Sequence, residues 1–77
     1  MNMKIYDKEK TLEYISDLMN SKGLNNVDMA EIIHVSNSTI CRKLKGERIF
    51  SLDELLLICE YFNITINELI QYREVGD

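Results

Sequence analysis

The sequence contains no proline and no tryptophan, and among its 77 residues it has only three glycines and two cysteines. Because proline and glycine rarely interrupt the chain, helices must end largely on capping side chains instead. Two cysteines, Cys41 and Cys59, are too few for a disulfide framework. We expect both to be free, buried thiols, and we expect the protein to act in a reducing cytoplasm.

Long apolar runs are also missing. No stretch approaches the roughly 20 apolar residues that cross a bilayer, and the first ten residues, MNMKIYDKEK, lack the apolar segment of a signal peptide. The sequence likewise has no pairing of nucleophile and base, no glycine-rich phosphate loop and no cluster of metal ligands; His34 is its one histidine. We therefore expect no enzyme activity, metal, cofactor, small-molecule ligand or membrane partner.

Capping signals divide the chain into short helices. An apolar residue, a capping side chain and a second apolar residue four positions after the cap recur at four places, with caps at Asn25, Ser36, Ser51 and Thr65. Glu54 and Glu68 stand three residues after the last two caps, so both are expected to complete capping boxes. Four such signals in one small chain indicate consecutive helices.

These signals, combined with apolar residues at helical spacing, predict five helices and one domain. The predicted helices run from about Lys8 to Ser21, Asn26 to Ile33, Asn37 to Lys45, Leu52 to Tyr61 and Ile66 to about Tyr72. No segment shows sustained two-residue alternation, so no sheet is expected. The prediction is a compact all-α domain over residues 1–77, with its core in about residues 8–72.

Charge is distributed unevenly along the chain. Residues 37–48 carry four bases and one acid, a net charge of +3, while the remaining residues carry −7, so that the whole chain is at −4. A basic segment on an acidic body can be a solvated helix face, or it can be the surface that meets a polyanion. Charge alone does not separate these two interpretations.

The order of the helices favours the polyanion. Only His34, Val35 and Ser36 join the second and third predicted helices, and such a short connection gives the steep crossing of a helix-turn-helix. The leading end of the third helix can then enter a major groove of DNA. Its residues Asn37, Ser38, Thr39 and Arg42 are the candidates for base contacts, and Lys43, Lys45 and Arg48 are the candidates for phosphate contacts.

The stretch LNNVDMAEIIHVSNSTICRKLKG resembles the helix-turn-helix of phage repressor and Cro-type regulators. Residues that fit the family's usual pattern are Leu24, Ala30, Val35, Ser36, Ile40 and Gly46. The following stretch FSLDELLLICEYFNITINELI resembles the last two helices of the family. The resemblance implies a lambda-repressor-like fold of five helices, and it adds Asn25, Asn26 and Ser36 as candidate phosphate contacts.

Two departures from the family pattern affect the expected packing. His34 stands where the family has a turn glycine, so a left-handed backbone there would cost roughly 1 kcal/mol. Met19 and Leu44 stand where family members often bury an arginine and a glutamate. We expect these two apolar residues to be buried and in contact.

Two functions remain open from the sequence. The first is a sequence-specific regulator of transcription, expected to act as a repressor, that binds double-stranded DNA with a palindromic operator as a homodimer. Leu57 and Tyr61, one turn apart in the fourth helix, are the candidate dimer contacts. The second is a protein-interaction module of the same fold, such as an antitoxin or antirepressor, which the acidic net charge slightly favours.

Overall fold

The computed structural model describes residues 2–76. Its elements are β1 (Met3–Tyr6), α1 (Lys8–Ser21), α2 (Asn26–Ile33), α3 (Asn37–Leu44), α4 (Leu52–Phe62), α5 (Ile66–Leu69) and β2 (Tyr72–Val75). All five predicted helices are present, so the expected helical bundle is confirmed in outline. None of the helices in this described part is long and apolar enough to span a membrane.

The four predicted caps begin α2, α3, α4 and α5, and Asp7 caps α1 in the same way. The predicted capping box of Ser51 and Glu54 is formed. The box expected at Thr65 is only half made, because Thr65 accepts from the Glu68 N–H without the reciprocal bond. A box that the sequence analysis did not predict joins Asn25 and Asp28, in which the shorter aspartate takes the glutamate's place.

The core is built from one completely buried apolar side chain on each helix. These residues are Ile15 on α1, Met29 on α2, Ile40 on α3, Ile58 on α4 and Leu69 on α5. Full burial of a side chain of this size contributes about 1.5–3 kcal/mol. Every helix is therefore held to the same centre, which fixes the α2–α3 pair on the rest of the domain.

A small sheet corrects the prediction that the chain is strictly all-α. Strands β1 and β2 pair antiparallel, with Met3 opposite Val75 and Tyr6 opposite Tyr72. All eight strand residues are exposed, so the sheet adds little to the core. Its two strands come from opposite ends of the chain, and local periodicity does not reveal such a pairing. Regular structure thus extends beyond residues 8–72.

The fifth helix is shorter than predicted because Gln71 ends it. The Gln71 side chain donates to the carbonyl oxygens of Glu68 (2.8 Å) and Leu69 (3.3 Å), which are otherwise free at the end of α5. Its backbone N–H donates to the buried hydroxyl of Thr11 at 3.0 Å, and its carbonyl accepts from the N–H of Asp7. The chain is thereby turned out of the helix and into β2.

Burial differs from expectation at two positions, Leu44 and Cys41. Met19 is buried as predicted, but Leu44 is only half-buried; the two side chains line one groove between α1 and α3. Both cysteines are free, as expected. Cys59 is buried, and burial raises the pKa of its thiol, whereas Cys41 is only half-buried.

The Thr11 hydroxyl gives the first test of this fold. It donates to the Asp7 carbonyl at 2.9 Å and accepts from the Gln71 N–H, so Thr11→Val leaves that N–H without its partner. We expect a loss of about 1–3 kcal/mol in the free energy of unfolding, measured in urea. Hydrogen exchange at the Gln71 amide should become faster in Thr11→Val and stay slow in the control Thr11→Ser. Unchanged protection in Thr11→Val would contradict the assigned bond.

Candidate nucleic-acid interface

The connection between α2 and α3 has the geometry of a helix-turn-helix. Helix α2 ends at Ile33, and His34 follows in the left-handed conformation at φ 61° and ψ 47°. The N–H of Val35 donates back to the Ala30 carbonyl at 3.0 Å, and Ser36 caps α3. His34 therefore has a left-handed backbone, although the residue is not glycine.

Buried contacts hold α3 in this orientation. Ile40 on α3 is fully buried, as is Met29 on α2, and Ala30 and Ile33 are only 2% exposed. Because these four side chains fill the angle between the two helices, the opposite face of α3 is turned outward.

The leading end of α3 presents short polar side chains to solvent. Asn37 and Ser38 are exposed, and Thr39 is half-buried. The Ser36 hydroxyl accepts from the Thr39 N–H at 3.2 Å and donates to the Thr39 hydroxyl at 2.9 Å. The hydroxyls of Ser36 and Ser38 lie within hydrogen-bond distance of each other, at 3.2 Å. The three hydroxyls thus form a local network, beside which the exposed amide of Asn37 can offer both a donor and an acceptor.

The start of α2 lies beside α3. Asn25 is occupied in the capping box with Asp28, its side-chain oxygen accepting the Asp28 N–H at 2.9 Å. The side-chain amide of the exposed Asn26 lies 3.5 Å from the sulfur of Cys41, one turn into α3. An amide at this place can also donate to an anion that lies against both helices.

The basic residues divide into two groups. Arg42, Lys45 and Arg48 are exposed and follow the polar end of α3 toward the connection with α4. Lys43 is buried: its ammonium lies 2.8 Å from a carboxylate oxygen of Glu54 and donates to the Ile49 carbonyl at 2.7 Å. This arrangement conflicts with the expected phosphate contact, because the ammonium already has two protein partners. We therefore exclude Lys43 from the candidate DNA contacts.

A signal for the position of Lys43 is present in the sequence. It stands three residues after the buried Ile40, so it lies on the inward face of α3. Glu54, its partner, was predicted only as part of a capping box. A positive charge within a basic segment suggests solvent exposure, but helical spacing places this one beside the core.

Of the two candidate dimer contacts on α4, Leu57 differs from expectation and Tyr61 does not. Leu57 is half-buried and packs against the core, whereas Tyr61 is 45% exposed. The Tyr61 ring meets the Phe62 ring edge to face at 5.1 Å, and the Lys22 ammonium lies 5.2 Å from the Tyr61 ring centre. More exposed apolar side chains lie elsewhere on α4, at Leu52 (64%) and Leu56 (46%). The outward apolar ridge is thus Leu52 and Leu56, one turn apart.

Comparison with known proteins agrees with this geometry. A family model described as "Cro/C1-type HTH DNA-binding domain" matches residues 14–74. The crystal structure of a transcriptional regulator from Listeria innocua superimposes with a TM-score of 0.72 at 27% sequence identity. That match covers 94% of this chain and 65% of the Listeria innocua chain. No curated protein sequence matches the chain.

The left-handed turn gives a prediction for stability. His34→Gly and His34→Ala both remove the imidazole, but only glycine adopts φ 61° without strain. We expect His34→Gly to be more stable than His34→Ala by about 1 kcal/mol, measured as the free energy of unfolding in urea. If alanine proves equal to glycine at this position, the backbone of the turn is not left-handed in solution.

Proposed function

This chain belongs to the Cro/C1-type HTH DNA-binding domain family, and we propose that it regulates transcription by inserting α3 into the major groove of double-stranded DNA. The observation that carries the proposal is the surface of α3. Its leading end exposes Asn37 and Ser38, and exposed Arg42, Lys45 and Arg48 follow toward the next helix. Polar groups that can contact base edges are thereby flanked by charges that can contact the backbone.

The roles within this surface follow from reach and position. Asn37 is the best candidate for paired hydrogen bonds to an adenine, with Ser38 and Thr39 beside it. Arg42 is long enough to reach a guanine or a phosphate. Lys45 and Arg48 lie where the sugar–phosphate backbone passes the end of α3.

The start of α2 and the turn supply uncharged contacts to the sugar–phosphate backbone of the DNA. In this proposal Asn26 donates its amide to a phosphate, and the first backbone N–H groups of α2 and α3, next to the caps Asn25 and Ser36, donate to the DNA backbone as well. These contacts position the protein without adding to the salt dependence of binding.

We further propose that the protein binds a palindromic operator as a homodimer and represses transcription by covering that operator, in the cytoplasm of a bacterium or of a bacterium infected by phage. Two-fold symmetric half-sites require a two-fold symmetric protein. The ridge of Leu52 and Leu56 on α4 is the surface that we assign to association. No catalytic role is proposed.

The DNA contacts are tested by comparing Asn37→Ala with Lys45→Ala on several duplexes. Asn37→Ala should weaken binding to the preferred duplex by about 1–3 kcal/mol and relax preference at one base position. Lys45→Ala should weaken binding about equally on all duplexes and reduce the slope of log affinity against log salt by roughly one unit. Affinities would be measured by fluorescence anisotropy, after selecting the preferred duplex from a random library.

Two outcomes would count against the DNA-binding proposal. If both variants lower affinity uniformly, α3 does not contact base edges. If the wild-type protein shows no salt-dependent binding to any duplex, the surface serves a protein partner instead, as an antitoxin or antirepressor would use it.

Association is tested without DNA. The double variant Leu52→Lys/Leu56→Lys should sediment as a monomer at concentrations where the wild-type protein is a dimer, because two charges cannot be buried unpaired in the interface. Val27→Lys is the matched control, since Val27 is 46% exposed, like Leu56, but lies on α2. A dimer that persists in the double variant would exclude this ridge from the interface.

A further inference from the structure

Lys43 joins α3 to the segment that leads into α4. Its side chain is 9% exposed, and its ammonium contacts Glu54 at 2.8 Å and the Ile49 carbonyl at 2.7 Å. The same ammonium lies 5.7 Å from the centre of the Phe50 ring. One side chain of α3 therefore contacts the Ile49 carbonyl and the Phe50 ring in the connection and Glu54 in the first turn of α4.

Glu54 is itself fixed. The carboxylate oxygen that meets Lys43 also accepts the Ser51 N–H at 2.8 Å, while the Ser51 hydroxyl accepts the Glu54 N–H at 3.1 Å. Partial burial would raise the pKa of Glu54, but the hydrogen bonds from Lys43 and Ser51 and the charge of Lys43 together hold it below its ordinary value of 4.5. The carboxylate is thus ionised at neutral pH and cannot rotate away without breaking the cap.

The other end of the connection is held from α1. The ammonium of Lys8 donates to the Gly46 carbonyl, and the Glu47 N–H donates to the Arg42 carbonyl at 2.9 Å. Gly46 has a φ of 84°, and a side chain there would meet Lys8 and Leu12 at 3.2–3.3 Å. Lys8 holds the Gly46 carbonyl and Lys43 holds the Ile49 carbonyl, so the segment is attached on both sides of Arg48.

We propose that Lys43 and Glu54 are positioning residues for DNA binding: they fix the segment 45–51, including Arg48, relative to α3, and Lys43 itself does not touch DNA. The inference rests on the proposed function, because it assigns a role within that same surface. It assigns different roles to two adjacent basic residues of α3, because Arg42 is exposed and Lys43 is buried. A buried ion pair that joins two elements restricts their relative position even where its net effect on stability is small.

The test compares Lys43→Met with Lys45→Met, which removes an exposed charge from the end of the same helix. Lys43→Met should weaken binding about tenfold, as for residues coupled in one network. Its slope of log affinity against log salt should equal that of the wild type. Lys45→Met should reduce that slope by roughly one unit. Circular dichroism and unfolding in urea would establish the folded fraction, and affinities would be corrected for it.

A double-mutant cycle tests whether the two residues act together. Glu54→Gln removes the charge but keeps an oxygen that can accept the Ser51 N–H, so the cap survives. Lys43→Met/Glu54→Gln should bind DNA about as tightly as Lys43→Met alone, and its loss of binding free energy should be smaller than the sum of the two single losses. The Glu54 carboxyl signal in NMR should titrate below pH 4.5 in the wild type and at a higher pH in Lys43→Met, where burial remains without the ammonium.

Each outcome of these measurements decides the proposal. A reduced salt slope in Lys43→Met, like that of Lys45→Met, would show a phosphate contact and overturn it. Unchanged affinity in folded Lys43→Met, or fully additive losses in the cycle, would also overturn it. If the wild type binds no DNA at all, the proposed function fails and the inference fails with it. If the wild type binds DNA and Lys43→Met has a reduced salt slope, only the inference fails.

Discussion

The three-residue connection between α2 and α3 is the constraint on which the rest of this surface depends. It places a left-handed residue, His34, two residues before the cap Ser36, so α3 starts at a fixed angle to α2. Ile40 is then buried in the same core cluster as Met29, and the opposite face of α3 must point outward. A longer connection would leave this angle to the packing alone, and the exposed polar end of α3 would have no defined direction.

Local signals in the sequence predicted the helices. Most of the features that these signals did not predict depend on pairing between distant residues. The caps at Asn25, Ser36 and Ser51 depend on residues within one turn, so they could be recognised directly. The sheet needs Met3–Tyr6 to meet Tyr72–Val75, and neither strand has a buried face that would give alternation. The bond from Gln71 to Thr11, sixty residues apart, is equally invisible in a local pattern.

The candidate site shows the same division between local and distant information. The exposure of Ser38 and Arg42, two residues before and two after the buried Ile40, follows from helical spacing. The same spacing indicates that Lys43 faces inward, but charge favours exposure unless a partner is known. The partner, Glu54, lies eleven residues later on another helix, and its role as a cap conceals its second role as a counter-ion.

The burial of Lys43 changes the electrostatics expected of the surface. Residues 37–48 carry four bases, but Glu54 neutralises one of them, so three remain exposed on a chain with a net charge of −4. Three phosphate contacts would give a salt slope of about three units for each protomer. Such a modest electrostatic contribution favours contacts that depend on sequence over non-specific binding. In the proposed dimer on DNA, affinity would then come largely from the polar end of α3 and from pairing of two protomers, which is the balance expected of a regulator that must leave most DNA unoccupied.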